Sequence, residues 1–572
     1  MVKNYEIKFK RLFDVVFNIL HQVIPGTQVL LICFFMVVFT SCHNKDVNVW
    51  IASPWQHVLQ DTPPDTMRSA NLNAASNEYA PFRVIVHNSG KDQLSNLTLV
   101  AGDLISDDGE ISSSNIQLYR AHYLNVRKPS RFSPNPAGWY PDALIPFSAK
   151  NLTSDTEKVV YVAEPFSVES TKNAEIWCDL YVPKGTKPGI YRGTVKLTRD
   201  NKTINEVPVK LQVWDFELPE KIAMRADFGD LPKDVVKMMG ASPGSKEHEE
   251  MVELFNKELT DNRAIPSTSG SMWPDWNQKD GIIDKGESEY LKKLVEEYHF
   301  NALNIPFRYQ NEPEKCKAYL ADMAKWLDKI GYLDIAYIYM KDEPDLPEDY
   351  DIVRKQGAMI KSADPRIARM CTEQTIPENP EWGNLYGAVD IWCAQWGKWD
   401  EKTAVERLAK GEELWTYTAL CQFDDGSPLW QIDMDPLNFR SPLWLSWHYD
   451  ISGFLYWSSV YWRCFFASLS DIWEYPQFGD NPVSGNNYWG EAVLLYPGQP
   501  AGIKGFVPSM RLKLYREAAE DYEYMVLAAE KGKKEEVNKI VEGVVSTFQV
   551  WSHEPSSYEQ AREQLVELIL NK

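Results

Sequence analysis

Residues 301–344 read NALNIPFRYQNEPEKCKAYLADMAKWLDKIGYLDIAYIYMKDEP, and the pattern of this stretch indicates the fold class. The runs NALNIPF (301–307) and IAYIYMKDEP (335–344) are typical of strands. Between them, apolar residues recur every three or four positions over 314–331, which predicts an amphipathic helix. A strand, a helix and a second strand in this order indicate one unit of a β/α fold.

The same alternation continues on both sides of this unit, from residue 219 to residue 534. Helical patterns such as 246–262, 288–300 and 348–363 separate the strand-like runs. The strand-like runs lie at 224–229, 264–270, 301–307, 335–344, 367–374, 389–396, 414–420 and 453–462. Eight strand–helix units predict a (β/α)8 barrel of the TIM type over 219–534.

Two further helical patterns follow the last strand, over 511–532 and 535–551. We expect these helices to close the barrel and to pack beneath it. Residues 535–572 are assigned to a C-terminal helical segment.

Residues 42–218 have a different pattern, of short runs that are rich in β-branched residues and alternate apolar with polar side chains. Examples are FRVIVHN (82–88), EIWCDLYVP (175–183) and EVPVKLQVWDF (206–216). This spacing is typical of a β-sandwich. The turn GTKPG (185–189) predicts that the strands on its two sides pair antiparallel. No convergent set of titratable residues stands out here, so we expect an accessory domain without a catalytic role.

The N-terminus has the pattern of an export signal. Residues 1–28 carry basic side chains and precede the apolar run VLLICFFMVVF (29–39). Eleven apolar residues suit the core of a signal peptide, which needs roughly 7–15, and are too few for a membrane span of about 20. Small residues directly before Cys42 predict a lipoprotein signal peptide over 1–41, with Cys42 lipidated. The alternative is an ordinary secretory signal cut nearby. Either way the chain is exported, and a lipid at Cys42 would hold it on a membrane, in the periplasm or at the cell surface.

Composition narrows the classes of partner. A formal net charge of −21 argues against nucleic acid, because phosphate binding needs clustered Lys and Arg. The chain has 21 Trp, 28 Tyr and 23 Phe, and flat ring faces are surfaces on which sugars stack. The eight cysteines form no C-x-x-C pair and the histidines show no H-E-x-x-H spacing, so we predict no zinc site, no essential metal and no cofactor.

The strongest candidate for chemistry is the sequence Lys341-Asp342-Glu343-Pro344, at the end of the fourth barrel strand. Active sites of such barrels lie at the C-terminal ends of the strands. Neighbours on a strand point to opposite faces, so Asp342 and Glu343 both face the mouth only if the backbone turns there, which Pro344 favours. Glycoside cleavage commonly uses two carboxyl groups on opposite faces of the sugar, which an adjacent pair fits poorly. One carboxyl group could instead orient a participating group of the substrate while the other protonates the leaving oxygen. The alternative is that Asp342 and Glu343 have no catalytic role and belong to the cap and first turn of the following helix.

Other candidates for substrate binding lie near the remaining strand ends. The candidate aromatic walls of a sugar site are Trp273, Trp392, Trp396, Tyr417 and Trp457. Glu373 and Gln374, at the end of the fifth strand, are candidates for bonding sugar hydroxyls. The alternatives are packing in the core or rim for the aromatic residues and a solvated loop for Glu373 and Gln374.

Several stretches resemble glycoside hydrolase family 123. The stretches similar to its catalytic domain are YIYMKDEP (337–344), GFLYWSSVYW (453–462), GEAVLLYPG (490–498) and PSMRLKLYREAAEDYEYM (508–525). NEYAPFRVIVHN (77–88) and DLYVPKGTKPGIYRGTVKL (179–197) resemble its N-terminal β-sandwich. The resemblance covers nearly the whole chain after the signal peptide, and the family's Asp-Glu pair falls on Asp342 and Glu343.

This resemblance implies a retaining exo-β-N-acetylgalactosaminidase that acts on glycans, or an uncharacterised relative. In the implied mechanism the 2-acetamido oxygen of the substrate attacks the anomeric carbon and forms an oxazolinium intermediate. Asp342 would bind the acetamido N–H, Glu343 would act as general acid and base, and Tyr417 is a candidate partner of the acetamido carbonyl.

Two alternatives stay open. One is a glycosidase of another sugar specificity, in which Glu373 would be the first candidate for a nucleophile. The other is a noncatalytic surface lipoprotein that binds glycans and keeps the barrel as a scaffold.

Overall fold

The computed structural model describes residues 46–147, 159–420, 426–462, 468–478 and 487–571. The predicted signal peptide (1–41) and Cys42 lie outside the described residues, so both stay predictions. Within those ranges, no helix is long and apolar enough to cross a membrane.

The N-terminal part consists of two sheets whose strands are mostly antiparallel. The first sheet contains β1 (Val47–Ala52), β3 (Glu78–Asn88), β7 (Ile116–Val126), β8 (Gly138–Pro146) and β10 (Asn173–Val182). The second contains β2 (Ala70–Ser76), β4 (Leu94–Ala101), β5 (Leu104–Ile105), β6 (Glu110–Ile111), β9 (Phe166–Val168), β11 (Gly189–Arg199) and β12 (Lys202–Glu217). Their orders are β1–β3–β10–β7–β8 and β2–β12–β11–β4–β9, with β5 beside β11 and β6 beside β5. Apolar side chains of both sheets share one buried core, and the expected sheet-rich N-terminal part is confirmed.

The turn over 185–189 joins strands of different sheets, so the prediction that its flanking strands pair is wrong. Before the turn, β10 already has β3 on one edge and β7 on the other. After the turn, β11 pairs with β12 and β4 of the second sheet. Gly185 and Gly189 have φ values of 68° and 149°, which lets the chain change direction sharply between the two sheets.

The second half of the chain is built on a parallel sheet with helices. Its strands are β13 (Arg225–Asp227), β16 (Leu303–Asn304), β17 (Ala336–Lys341), β18 (Ala368–Cys371), β19 (Ile391–Gln395), β20 (Glu413–Thr418) and β21 (Gly453–Tyr456). Their order is β13–β21–β20–β19–β18–β17–β16, so the first strand in the sequence lies beside the last. A core inside the sheet includes Tyr337, Ile391, Trp415 and Leu455.

The run 264–270 does not form the predicted second strand, and a complete (β/α)8 barrel is not confirmed. The segment nevertheless lies between the two edge strands of the sheet. Phe228 N donates to Ile265 O and Ser267 N donates to Gly229 O, both at 2.9 Å, while Thr268 Oγ1 donates to Asn304 O at 3.0 Å. Pro266 has no N–H, so a regular ladder cannot continue through it.

The helices of the second half alternate with these strands and then follow them. They are α1 (Lys233–Met238), α2 (Lys246–Thr260), α3 (Glu287–Glu296), α4 (Pro313–Ile330), α5 (Pro347–Ala363), α6 (Glu401–Leu408), α7 (Ser441–His448), α8 (Leu469–Glu474), α9 (Met510–Ala528), α10 (Lys534–Glu542) and α11 (Pro555–Ile569). Short two-stranded ladders join β14 (Asp275–Asn277) to β15 (Gly281–Ile283), β22 (Gln477–Phe478) to β23 (Tyr488–Trp489), β24 (Leu495–Pro497) to β25 (Phe506–Pro508), and β26 (Val545–Thr547) to β27 (Val550–Trp551). The predicted helix over 535–551 therefore ends at residue 542, because the β-branched residues after Gly543 form the last ladder.

Helix α9 packs between the parallel sheet and the first antiparallel sheet. Ser509 caps its N-terminus, and almost all of its side chains are buried. On one side, the Tyr515 ring lies 4.6 Å from the Phe228 ring at the end of β13. On the other side, Arg516 donates to both oxygens of Asp179 on β10, at 2.6 and 2.8 Å. Helix α9 is thus one of the elements that join the two halves of the chain.

Buried ion pairs hold this helix against the sandwich. Lys513 adds a second contact to Asp179 at 3.1 Å, and Arg511 donates to both oxygens of Asp142 on β8. Burial alone would raise the pKa of Asp179, but the Arg516 and Lys513 charges outweigh it and hold that pKa below its ordinary value. Buried charges are tolerated when they are paired in this way.

We predict that Asp179→Ala destabilises the protein by about 3–5 kcal/mol, because it leaves Arg516 and Lys513 buried without their partner. Urea unfolding of the purified protein measures the difference. Glu220→Ala is the control, since its pair with Lys184 is about half exposed and is worth no more than about 1 kcal/mol. Equal effects of the two substitutions would contradict the role assigned to Asp179.

Candidate active site

A cavity of about 640 Å³ opens at the C-terminal ends of the parallel strands. Its walls come from the loops after β13, β16, β17, β18, β20 and β21 and from the segment 267–270. Side chains with polar atoms predominate among its lining residues, which include Asp227, Asp230, Ser267, Thr268, Asn304, Tyr339, Asp342, Glu343, Thr372, Tyr417, Trp457 and Tyr461. This is the end of a β/α sheet at which loops converge and ligands bind.

Another cleft, of about 320 Å³, lies between the first antiparallel sheet and the C-terminal helices. Two arginines in its wall, Arg440 and Arg562, already pair with Asp521, and Arg440 also pairs with Glu559. Because these charges are neutralised within the protein, the cleft is a weaker candidate for ligand binding than the cavity at the strand ends.

Asp342 and Glu343 follow β17 directly, and both line the cavity. The backbone of Glu343 has a φ of 37°, in the left-handed region. This conformation breaks the alternation of the strand, which would otherwise send the two side chains to opposite faces. For a residue other than glycine it costs on the order of 1–3 kcal/mol, and such residues cluster at active sites.

The Thr372 hydroxyl, just beyond β18, contacts both members of the pair. It donates to Asp342 Oδ1 at 3.1 Å and accepts from the Glu343 backbone N–H at 2.8 Å. The Tyr339 hydroxyl also donates to Asp342 Oδ1 and lies 3.0 Å from Thr372 Oγ1. Burial, and then the Asp342 charge, raise the pKa of Tyr339 well above its ordinary value, so this hydroxyl keeps its proton. Asp342 is thereby held in one orientation.

Two side chains from the next strands hold the Glu343 carboxyl. The Tyr417 hydroxyl, on β20, donates to Glu343 Oε1, and Gln395 Nε2, at the end of β19, donates to the same oxygen at 3.0 Å. Tyr417 therefore lines the cavity as predicted for a binding residue, and in this structure its hydroxyl contacts Glu343.

Trp457 also lines the cavity, just after β21. Its ring centre lies 4.7 Å from that of Tyr461, which lines the cavity too. Of the predicted site residues, the structure thus brings Asp342, Glu343, Tyr417 and Trp457 to one cavity.

The predicted aromatic walls Trp273, Trp392 and Trp396 do not line the cavity. On β19, Ile391 and Cys393 face the core inside the sheet, so Trp392 and Trp396 point to the outer side. Trp392 Nε1 donates to Glu412 at 2.6 Å, and the Trp396 ring stacks on Phe548. The Trp273 side chain is buried, with its ring 6.4 Å from that of Trp326.

Glu373 and Gln374 do not line the cavity either. The Tyr350 hydroxyl donates to Glu373 Oε1 at 2.7 Å, and Gln374 Nε2 donates to the same oxygen at 2.5 Å and to Glu378 at 2.9 Å. Burial raises the pKa of Glu373 to about 8. The position of Glu373 gives no support to its suggested roles in hydroxyl binding or as a nucleophile.

Sequence reasoning missed Asp227, the last residue of β13. It is buried, lines the cavity, and accepts hydrogen bonds from the Tyr337 hydroxyl and from Gly229 N. Burial raises its pKa above the ordinary value. The rule that pointed to Asp342 also applies to the run MRADFG (224–229), where Asp227 closes a strand. Thr372 and Gln395 were missed as well, and nothing in their local sequence marks them.

No group of three or more His, Cys, Asp or Glu side chains is placed to hold a metal ion in the described ranges. Asp342 and Glu343 are adjacent carboxyl groups that line the cavity, and they are candidates for acid–base chemistry.

Family models and known structures were compared with the chain. The model described as "Glycoside hydrolase 123, catalytic domain" matches residues 270–528, and "Glycoside hydrolase 123 N-terminal domain" matches residues 56–199. A family 123 glycoside hydrolase from Clostridium perfringens has a similar fold, with a TM-score of 0.64 and 16% identity over 92% of this chain and 97% of that one. No curated protein matches the sequence.

Two other solved structures are similar at a much lower level. A family 39 glycoside hydrolase from Bacteroides cellulosilyticus WH2 has a TM-score of 0.31 and 10% identity, over 78% of this chain and 81% of that one. A family 2 glycosyl hydrolase from Bacteroides cellulosilyticus DSM 14838 has a TM-score of 0.25 and 10% identity, over 72% of this chain and 46% of that one.

We predict that Glu373→Gln changes how stability depends on pH. Burial raises the pKa of Glu373 from 4.5 to about 8, so between these two pH values its carboxyl group keeps a proton in the folded protein and loses it in the unfolded chain. Wild-type stability therefore falls as pH rises through this range, by up to about 5 kcal/mol, and the variant has no such proton to lose. Denaturant unfolding at pH 5 and pH 9 checks this. The exposed Glu381→Gln is the control, and a variant with the same pH dependence as wild type would contradict the prediction.

Proposed function

The chain belongs to glycoside hydrolase family 123, and from this premise we propose that it is a retaining exo-enzyme that removes terminal β-linked N-acetylgalactosamine from glycans. The observation that carries the proposal is the pair Asp342 and Glu343 in one cavity, each held by hydrogen bonds from neighbouring strands. Consecutive residues approach a bound sugar from the same side. This suits a reaction in which the substrate supplies its own nucleophile, rather than one with carboxyl groups on opposite faces.

The proposed first step breaks the glycosidic bond. Glu343 gives its proton to the leaving oxygen while the 2-acetamido oxygen of the substrate attacks the anomeric carbon and forms an oxazolinium ring. Asp342 accepts a hydrogen bond from the acetamido N–H and stabilises the positive charge that develops there. The Tyr339 and Thr372 hydroxyls keep Asp342 in place for this contact.

In the proposed second step, water attacks the anomeric carbon and Glu343 takes the proton from that water. The ring opens, and the sugar leaves with the configuration it had in the substrate. Tyr417 and Gln395 orient the Glu343 carboxyl for both proton transfers. The cavity volume of about 640 Å³ lies within the roughly 300–1,000 Å³ of small-ligand sites, which supports binding of a chain end rather than of a long polymer.

A glycosidase of another sugar is the second candidate, and Asp227 is the observation that favours it. This buried carboxyl enters the same cavity from β13, on a different strand from Glu343. A substrate without an acetamido group would need an enzyme nucleophile, and Asp227 is placed better for that role than Glu373.

We also propose that the segment 264–268 takes the place of the second strand in a (β/α)8 barrel. Its backbone hydrogen bonds to 228 and 229 and the contact of Thr268 with Asn304 support this arrangement.

The activity is tested with nitrophenyl glycosides of β-N-acetylgalactosamine, β-N-acetylglucosamine and β-galactose. We expect selective hydrolysis of the β-N-acetylgalactosaminide. On a substrate with a poor leaving group, where protonation of the leaving oxygen matters most, we expect Glu343→Gln to lower the hydrolysis rate by about 10²–10⁴-fold. Glu373→Gln is the matched control, because this carboxyl lies outside the cavity. Hydrolysis of the galactoside alone would favour the second candidate, and full activity of Glu343→Gln would contradict the proposal.

We further propose that the chain is exported and anchored by a lipid on Cys42. The first strand begins at Val47, five residues beyond, so a lipid at Cys42 would hold the sandwich close to the membrane. We expect Cys42→Ala to move the protein from the membrane fraction to the soluble fraction after cell lysis. Unchanged membrane association of the variant would contradict a lipid anchor at this residue.

A further inference from the structure

One wall of the cavity depends on a side chain that lies outside it. Trp457 follows β21 and lines the cavity with part of its indole ring exposed. Its Nε1–H donates to Glu491 Oε1 at 3.0 Å. The indole is therefore held at its Nε1 edge by Glu491.

Glu491 is buried, with 2% of its surface exposed, and does not line the cavity. Its second oxygen, Oε2, accepts a hydrogen bond from Gln431 Nε2 at 2.6 Å. Burying a carboxyl group is costly unless its oxygens are bonded, and here Trp457 and Gln431 each bond one oxygen of Glu491. Burial raises the pKa of Glu491 above its ordinary value.

The backbone around Glu491 is held from several sides. Arg511 Nη1 donates to Gly490 O at 2.7 Å, and the Tyr456 hydroxyl accepts from Ala492 N at 2.7 Å. Tyr461 N donates to Ala492 O at 2.9 Å, which joins the turn to the segment that carries Trp457. Glu491 therefore presents its carboxyl to the indole from a fixed position.

We propose that Glu491 is a positioning residue that fixes the Trp457 indole as the wall against which the sugar packs. An aromatic ring suits the apolar face of a sugar, provided that it does not rotate away. The inference rests on the proposed function, since the wall matters only if a sugar enters this cavity. It also assigns a role to the motif GEAVLLYPG (490–498), which the chemistry of Asp342 and Glu343 leaves unexplained.

Two substitutions separate positioning from catalysis. Glu491→Gln keeps an oxygen for the indole N–H. Its new amide can bond Gln431 if the Gln431 amide turns over, because Gln431 Oε1 has no partner among the described residues. Glu491→Ala removes both acceptors, including the partner of the indole N–H.

We expect Glu491→Gln to keep kcat/KM on the β-N-acetylgalactosaminide within about threefold of wild type. Glu491→Ala should raise KM at least tenfold with kcat within about twofold, because packing against a wall binds substrate and transition state alike. In a Trp457→Phe background, which lacks the indole N–H, Glu491→Ala should add little further loss. A drop in kcat with KM unchanged would mean that Glu491 acts on the transition state rather than on sugar packing, and would overturn the proposal, as would a Gln variant as poor as the Ala variant.

A second measurement does not depend on hydrolysis. The full chain is labelled with 5-fluorotryptophan, and the Trp457 resonance is the fluorine signal that Trp457→Phe removes. We expect this signal to shift or broaden in Glu491→Ala and to stay near its wild-type position in Glu491→Gln. An unchanged signal in Glu491→Ala overturns the proposal. If wild-type protein hydrolyses none of the glycosides, the proposed function fails, and the fluorine signal alone decides whether Glu491 positions the indole.

Discussion

The buried ion pair between Arg511 and Asp142 is the interaction on which much of the remaining structure depends. Arg511 lies in the first turn of α9, and Asp142 lies on β8 of the first antiparallel sheet. Besides both oxygens of Asp142, the guanidinium bonds the carbonyl oxygens of Gly490 and Val493. Because a buried guanidinium must have its donors satisfied, the helix, the sheet and the turn after residue 489 can adopt only one relative position.

The cavity is assembled from neighbouring strand ends rather than from one motif. Asp342 and Glu343 come from the end of β17, and the groups that hold them come from Tyr339 on the same strand and from the next strands along the sheet. Thr372 has the central place, because one hydroxyl both donates to Asp342 and accepts from the Glu343 backbone. That pair of bonds compensates for the left-handed conformation of Glu343 and keeps two adjacent carboxyl groups facing one cavity.

How much the sequence could predict depended on the kind of pattern. Amphipathic helices such as α4 and α5 were predicted to within a residue, because their period is regular over many turns. The strand-end rule located Asp342 and Glu343. The same rule also selected Trp392 and Trp396 by residue type, without regard to the alternation of side chains along the strand. Both side chains lie on the outer side of the sheet, whereas Gln395, at the end of β19, contacts Glu343. The local sequence carries no signal for tertiary arrangements such as which of the two sheets β11 joins.

The sandwich, predicted to be an accessory domain without a catalytic role, packs against α9 through buried ion pairs. Asp142 and Asp179 are the partners of three cations on that helix, and all of these groups are buried. If the β/α half were separated from the sandwich, a row of positive charges along α9 would be exposed. A truncation placed between the two halves would therefore cut through buried ion pairs, and each half alone would carry unpaired charges that the intact chain neutralises.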